Sequence, residues 1–397
     1  MRSLFFYFPL LILPLLLPSS VFSRPLETIP FQMVGEHMFI QMVAGENDTL
    51  HLIFDTGAST LVINETLVNR LRLSFDREAS TTGIGGTGNV RYGNMAKLRA
   101  GRISLGEISA IAAPLAHLEA KIGHKIDGII GYHLLSSFIV RMNFDNRKLE
   151  ILDQAEFCPE DYGKSHKIDL SVGIPVMNAT VSLNDGTLVS GKFLIDSGAG
   201  SGLILNTPLV SQRKLTEVSR HTGFQNESSG LNNHTTPFFE TVMPGLTFCG
   251  YLLQQIPTRL SQSTSGVTAM PEFAGIIGNP VLQRFSLVFD YRQERMYIQA
   301  GSRLAHPFTS DASGLKLQLD ETLTRIVVEK VIPQSPADKA GVRKGDILTG
   351  IDEKPIRPGD LPKVKEQLSR TGKKVILTIE RDGKPFPVQI LLAQWFM

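Results

Sequence analysis

Apolar residues fall along this chain in short runs of strand length, broken by glycine, asparagine and aspartate. The pattern predicts β-rich structure with few helices. One run, "HLIFDTGAST" from His51 to Thr60, puts Asp55 straight after strand-forming residues and just before Gly57. A carboxylate at the end of a buried strand is costly unless it is hydrogen-bonded, shares a proton or takes part in chemistry. The pattern then recurs, because "KFLIDSGAGSGLILN" from Lys192 to Asn206 carries Asp196 in the same place.

The repetition extends well beyond the two aspartates. Upstream, "IPFQMVGEHMFIQMV" and a polar turn "GENDT" precede the first, while "IPVMNATVSL" and "NDGT" precede the second. Asn184-Asp185-Gly186 is a strong hairpin signal, since such turns need positive φ. Downstream, "IDGIIGYHLLSSF" matches "FAGIIGNPVLQRF", each followed by an apolar strand with a Phe-Asp pair, Phe144-Asp145 and Phe289-Asp290. From the aspartate to the second glycine of Gly-Ile-Ile-Gly is 76 residues in one copy and 82 in the other. A duplicated unit is expected, with a short helix after each Gly-Ile-Ile-Gly and linkers at "AEFCPEDYGKSHK" and "AGSRLAHPFTSDAS".

Two carboxylates brought to about 3 Å cannot both ionise, so one keeps a proton that the other lacks. The ionised member can take a proton from water, while the protonated member donates to the carbonyl oxygen under attack. Gly57 and Gly198 allow backbone N–H groups to approach the acids, Thr56 and Ser197 offer hydroxyls to brace the facing loop, and Ala58 and Ala199 are small enough for close packing. Alanine at 58 and 199 cannot donate a side-chain hydrogen bond that would lower a carboxyl pKa, which predicts activity at mildly acidic to near-neutral pH.

The paired Asp-Thr-Gly-Ala and Asp-Ser-Gly-Ala motifs, each with a following hydrophobic-hydrophobic-Gly element, resemble the aspartic peptidases of the pepsin and retropepsin type. The resemblance runs from about Pro30 to Ile298 and looks closest to the retroviral-like branch fused in one chain, as in bacterial exported aspartyl proteases. It implies a mainly β fold with two pseudo-twofold-related, barrel-like lobes, a cleft for an extended polypeptide, and Asp55 and Asp196 as the catalytic dyad, with no homodimer needed. Such an enzyme needs a lid over the peptide. "STTGIGGTGNVRYG", with Gly83, Ile84, Gly85, Gly86 and Gly88, is the candidate flap, and "RHTGFQNESSG" stands at the equivalent place in the second repeat. The first flap departs from the pepsin pattern in having no tyrosine at its tip, Tyr92 lying further along.

From Ser313 the composition changes. "SPADKAGVRKGD" reads as a short helix ended by Gly341 and a turn into the strand "ILTGI"; a helix "GDLPKVKEQLSR" and two strands follow. This α+β module resembles a PDZ domain of the bacterial protease-associated kind, which implies that a peptide adds as an extra strand and that loop N–H groups hold its terminal carboxylate. The matching loop is Gly314-Leu315-Lys316-Leu317, departing from the usual form at Lys316. The expected domains are residues 1–23, 24–160, 161–302 and 303–397.

Composition refines the rest. Forty basic and 38 acidic residues in 397 leave a net charge of +2, which gives no global field for nucleic acid. The first 23 residues have the charged, apolar and small-residue zones of a secretory signal cleaved after Ser23, which predicts a periplasmic or secreted protein with no membrane span retained. Cys158 and Cys249 pair or stay separate thiols; their separation leaves both open. His117, His124 and His133 fit no zinc spacing, His51 reads as a packing or sheet-edge residue rather than a catalytic base, and no metal or cofactor is expected. The sequence reading is therefore an exported aspartic endopeptidase whose PDZ module recruits substrate or regulates the cleft; the alternative is a non-catalytic, chaperone-like peptide-binding adaptor.

Overall fold

A computed structural model describes residues 24–83, 86–95, 97–231 and 235–395. The proposed leader and the flap residues Ile84 and Gly85 lie outside the described residues. The chain is mainly β, with barrel-like sheets and an α+β module at its C-terminal end.

Asp48–Phe54 forms a strand whose last residues, Leu52, Ile53 and Phe54, are all buried. Such a run needs cover on both faces and neighbours on both edges. It pairs on one edge with the antiparallel strand His37–Ala44 and on the other with the parallel strand Gly128–Ile130, the core of the first Gly-Ile-Ile-Gly. Gly128–Ile130 in turn runs antiparallel to Leu61–Asn64, and Leu61–Asn64 runs parallel to Ile108–Ala113. The last three of these four pairings recur around Asp196. Gly275–Gly278 runs parallel to the end of Leu188–Asp196 and antiparallel to Leu203–Leu205, which runs parallel to part of Tyr251–Ser261. The expected short helices follow, Tyr132–Ser137 and Asn279–Leu282.

The second glycine of each Gly-Ile-Ile-Gly is required by close approach rather than by backbone angle. A Cβ on Gly131 would collide with the carbonyl oxygen of Asp55, and one on Gly278 with that of Ser201. Only glycine lets these strands pass directly behind the acidic loops.

The strand that leads to Phe144-Asp145 and the strand that ends in Phe289-Asp290 zip together. Ile139–Asn143 runs antiparallel to Phe285–Asp290, with Val140 opposite Phe289 and Met142 opposite Leu287. One apolar core therefore runs through both repeats, including Phe54, Phe193, Phe285 and Phe289, each contributing about 1.5–3 kcal/mol by burial. The segment expected as the first linker ends in a strand, Lys164–Lys167, paired with Arg295–Ala300. Its side chains are polar and mostly exposed, so the pairing rests on backbone bonds that hydrophobic periodicity does not reveal. The second linker has no regular structure. Arg284 holds it by donating to the carbonyl oxygens of Arg303, Leu304 and His306, and stacks over the Phe308 ring.

Beyond it, a separate core from Ala312 to Leu392 is built by strands Leu315–Leu319, Ile326–Val331, Ile347–Ile351, Lys374–Arg381 and Lys384–Leu391 with the helix Leu361–Leu368. Ser335 caps the short helix Pro336–Lys339, which gives way to Gly341 at φ +80°, as the sequence predicted. Cys158 and Cys249 are both free thiols. Among the described residues, no helix is long and apolar enough to cross a membrane.

Candidate active site

Asp55 follows the strand Asp48–Phe54 and Asp196 ends the strand Leu188–Asp196. Because each strand is pinned behind by its Gly-Ile-Ile-Gly partner, the two acidic loops are delivered face to face. Asp55 receives N–H bonds from Gly57 at 2.7 Å and Gly198 at 3.1 Å. Asp196 receives them from Gly198 at 2.8 Å and Ala199 at 2.9 Å. Gly198 thus donates to both acids, and the two carboxyl groups also hydrogen-bond each other.

The predicted flanking residues lock the loops across the repeat boundary. Thr56 Oγ1 donates to the Ile195 carbonyl at 2.7 Å and accepts the Ser197 N–H at 2.9 Å. In the opposite sense, Ser197 Oγ donates to the Phe54 carbonyl at 3.3 Å and accepts the Thr56 N–H at 3.0 Å. Both side chains are wholly buried. Gly57 and Gly198 are glycine for lack of room: a Cβ at 57 would stand 2.6 Å from the Asp196 carboxyl carbon, and one at 198 would strike the Asp55 carboxyl group. Ala199 is buried and Ala58 packs partly against the core, as close packing requires.

Electrostatics separates the two acids. Burial and the adjoining Asp55 charge push the Asp196 carboxyl well above the ordinary carboxylate range, and its hydrogen bond to Asp55 adds to the rise. Burial also raises Asp55, but the hydrogen bonds from Asp196, Gly57 and Gly198 work against that rise. The two carboxyls therefore titrate as one coupled pair, with the stronger upward push on Asp196.

The candidate flap glycines Gly83 and Gly86 sit opposite each other at the end of the hairpin Phe75–Gly83 and Gly86–Met95. They lie against Gly266 in the second repeat, where a Cβ would come within 2.6 Å of the Gly83 oxygen and the Gly86 nitrogen. The second candidate flap is the hairpin Phe224–Ser229 and Thr235–Phe248.

The expected peptide loop Gly314, Leu315, Lys316 and Leu317 leads into the edge strand Leu315–Leu319, which pairs in its sheet with Ile326–Val331. The N–H groups at its start and its lysine are already engaged. The N–H groups of Ser313 and Gly314 donate to the Asp311 carboxylate at 3.1 and 2.7 Å, and that of Leu315 donates to Ser313 Oγ at 3.1 Å. Lys316 Nζ pairs with Glu240 at 3.3 Å. Sequence reasoning missed Asp311 and Glu240, since neither stands in a recognisable motif; the only signal was an acid two residues before "SGLKL". It also missed Asp127, whose buried carboxylate accepts the His51 N–H at 2.9 Å and steadies the strand leading to Asp55.

With this geometry in view, comparison with known proteins agrees at both ends of the chain. Residues 41–134 match a family model described as an aspartyl protease, and residues 327–381 match a PDZ domain model. The chain carries an aspartyl protease domain and a C-terminal PDZ domain. Among curated proteins, it is 32% identical over 83 residues to a probable CtpA-like serine protease of Staphylococcus saprophyticus, covering 21% of this chain and 17% of that protein. It is 29% identical over 111 residues to the serine endoprotease DegS of Escherichia coli, covering 28% of this chain and 29% of the relative. The periplasmic pH-dependent serine endoprotease DegQ of Escherichia coli is 37% identical over 67 residues, covering 16% and 14%. The chain spans less than a third of the length of these relatives.

Proposed function

We propose that this protein is an aspartic endopeptidase acting on extended polypeptides, with Asp55 and Asp196 as its dyad. The observation that carries the reading is the meeting of the two acidic loops, where the Gly198 N–H donates to both carboxyl groups and Thr56 and Ser197 lock the loops to each other. The aspartyl protease match covers Asp55, and the duplicated pairing brings Asp196 to meet it. The serine endoprotease matches support a protease carrying a PDZ domain; because they reach so little of those proteins, the catalytic type follows the dyad.

In this mechanism Asp55 takes a proton from water as its oxygen attacks the scissile carbonyl carbon, and Asp196 gives its proton to the carbonyl oxygen. The tetrahedral diol then collapses. As the C–N bond breaks, the leaving nitrogen takes the proton held by Asp55, and a diol hydroxyl returns one to Asp196. One water is consumed, the pair is restored and no acyl-enzyme forms. The N–H donors of Gly57, Gly198 and Ala199 are fixed before substrate arrives, so little reorganisation is needed during the reaction.

The proposed arrangement is two lobes, 24–160 and 161–302, with the PDZ domain at 303–397, in an exported protein whose leader is residues 1–23. The hairpin ending at Gly83 and Gly86 is the proposed lid. Two inhibitors separate the catalytic types. A peptide carrying a hydroxyethylene group in place of the scissile bond should block cleavage, while a serine-directed fluorophosphonate should leave both the rate and the protein mass unchanged. Covalent labelling with matching loss of activity would overturn the assignment.

A further inference from the structure

The PDZ domain is engaged with the rest of the chain on two sides. The helix Ala116–Ile122, from the repeat that holds Asp55, packs against the edge strand Leu315–Leu319, which itself adjoins the helix Leu361–Leu368. Ala120 packs on the PDZ core, and Gly123, at φ +77°, leaves no room for a Cβ beside Leu361. Lys365 Nζ donates to the Lys121 carbonyl at 2.6 Å, satisfying one of the oxygens at the end of the Ala116 helix that lack an intrahelical partner. An extended peptide would add its strand along this same edge.

The other side joins the repeat that holds Asp196. Lys316 reaches Glu240 on the hairpin Phe224–Ser229 and Thr235–Phe248, and Lys330 Nζ lies 3.5 Å from the Asn226 side-chain oxygen on the same hairpin. Phe224 stacks on Trp395 with ring centres 4.7 Å apart. The Glu240–Lys316 pair is largely withdrawn from solvent, with side chains 18% and 25% exposed. The hairpin and the Ala116 helix also meet directly, through His117 Nε2 and the Gly230 oxygen at 2.9 Å.

Resting on the proposed function above, we infer that the PDZ domain takes a helix of its own chain as its resident ligand, and thereby clamps the Asp55 half to the Asp196 half. The occupant is Ala116–Ile122. The loop that would hold a free carboxylate has the N–H groups of Gly314 and Leu315 committed to Asp311 and Ser313, and its own Lys316 is committed to Glu240. Three features therefore act together against an external C-terminus: a covered strand edge, a filled anion site and a paired cation. An incoming peptide has to displace the helix, and by linkage a ligand that does so loosens both halves.

Amide hydrogen exchange of the full chain tests this without using cleavage. Lys316→Glu, Lys365→Ala and the milder Glu240→Gln are compared with the unaltered protein, each also in an Asp196→Asn background so that the result is independent of protease activity. The strand Lys374–Arg381 reports that the PDZ core stays folded. The clamp predicts at least tenfold faster exchange in both Ala116–Ile122 and Phe224–Ser229 for Lys316→Glu and Lys365→Ala, and a smaller rise in both for Glu240→Gln. A rise confined to the side that was altered would overturn it. So would protection of Leu315–Leu319 by a decapeptide with a free carboxyl terminus, absent with its amidated twin, while exchange in Ala116–Ile122 stays unchanged.

Discussion

At the level of single residues, the pair of acids carries a stability cost that can be measured apart from catalysis. An aspartate in an unfolded chain titrates near 3.9, and Asp196 in the folded protein titrates well above that. Between the two values the folded state binds more protons, so stability present at low pH is lost as pH rises through the folded value. Asp196→Asn removes the ionisation and keeps an oxygen for the Gly198 and Ala199 N–H groups. Thermal melts from pH 3 to 8 should show the variant gaining on the parent protein as pH rises, with the gap closing below about pH 4. A pH-independent difference would contradict the assigned shift. Thr56→Val leaves the Ile195 carbonyl and the Ser197 N–H unpaired in a buried place, which should cost about 1–3 kcal/mol for each in urea unfolding. Both hydroxyls and both acids were legible in the sequence because duplication made a short motif specific. Asp311, Glu240 and Asp127 were not, since each acts through a partner remote in the chain.

At the level of elements, the repeated Gly-Ile-Ile-Gly strands decide whether the acids meet. Gly131→Ala would drive a methyl group into the Asp55 carbonyl, and overpacking of this kind costs about 1–3 kcal/mol or more. Because the collision is at the loop of the proposed dyad, kcat should fall by about 10²-fold, in keeping with a displacement of ~1 Å. Unchanged kcat in a folded variant would show that the loop tolerates the shift. The proposed lid makes a separate prediction. Gly266 holds φ +78° against the hairpin tip, so Gly266→Ala should raise KM more than it lowers kcat, measured with one short peptide. Strands, hairpins and short helices were readable from apolar runs and turn residues. The Lys164–Lys167 strand was not, because its side chains contribute nothing to a hydrophobic pattern.

At the level of the whole molecule, one apolar core joins the two repeats and a second belongs to the PDZ domain. The sequence signalled both units through composition and motif, but no local pattern could show the Ala116 helix lying on the PDZ edge or Lys316 meeting Glu240. Such contacts join residues far apart in sequence and use ordinary surface types. In the proposed mechanism two carboxylates, one protonated, activate water between the repeats. The most direct measurement is the pH–rate profile from about pH 3 to 8 for a mixed peptide library, using the protein from Arg24 onward beside folded Asp55→Asn and Asp196→Asn variants. A working dyad gives a bell-shaped profile, with activity at mildly acidic to near-neutral pH and cleavage lost in both variants. Cleavage that survives either substitution, or binding of peptides with no cleavage at any pH, would contradict it.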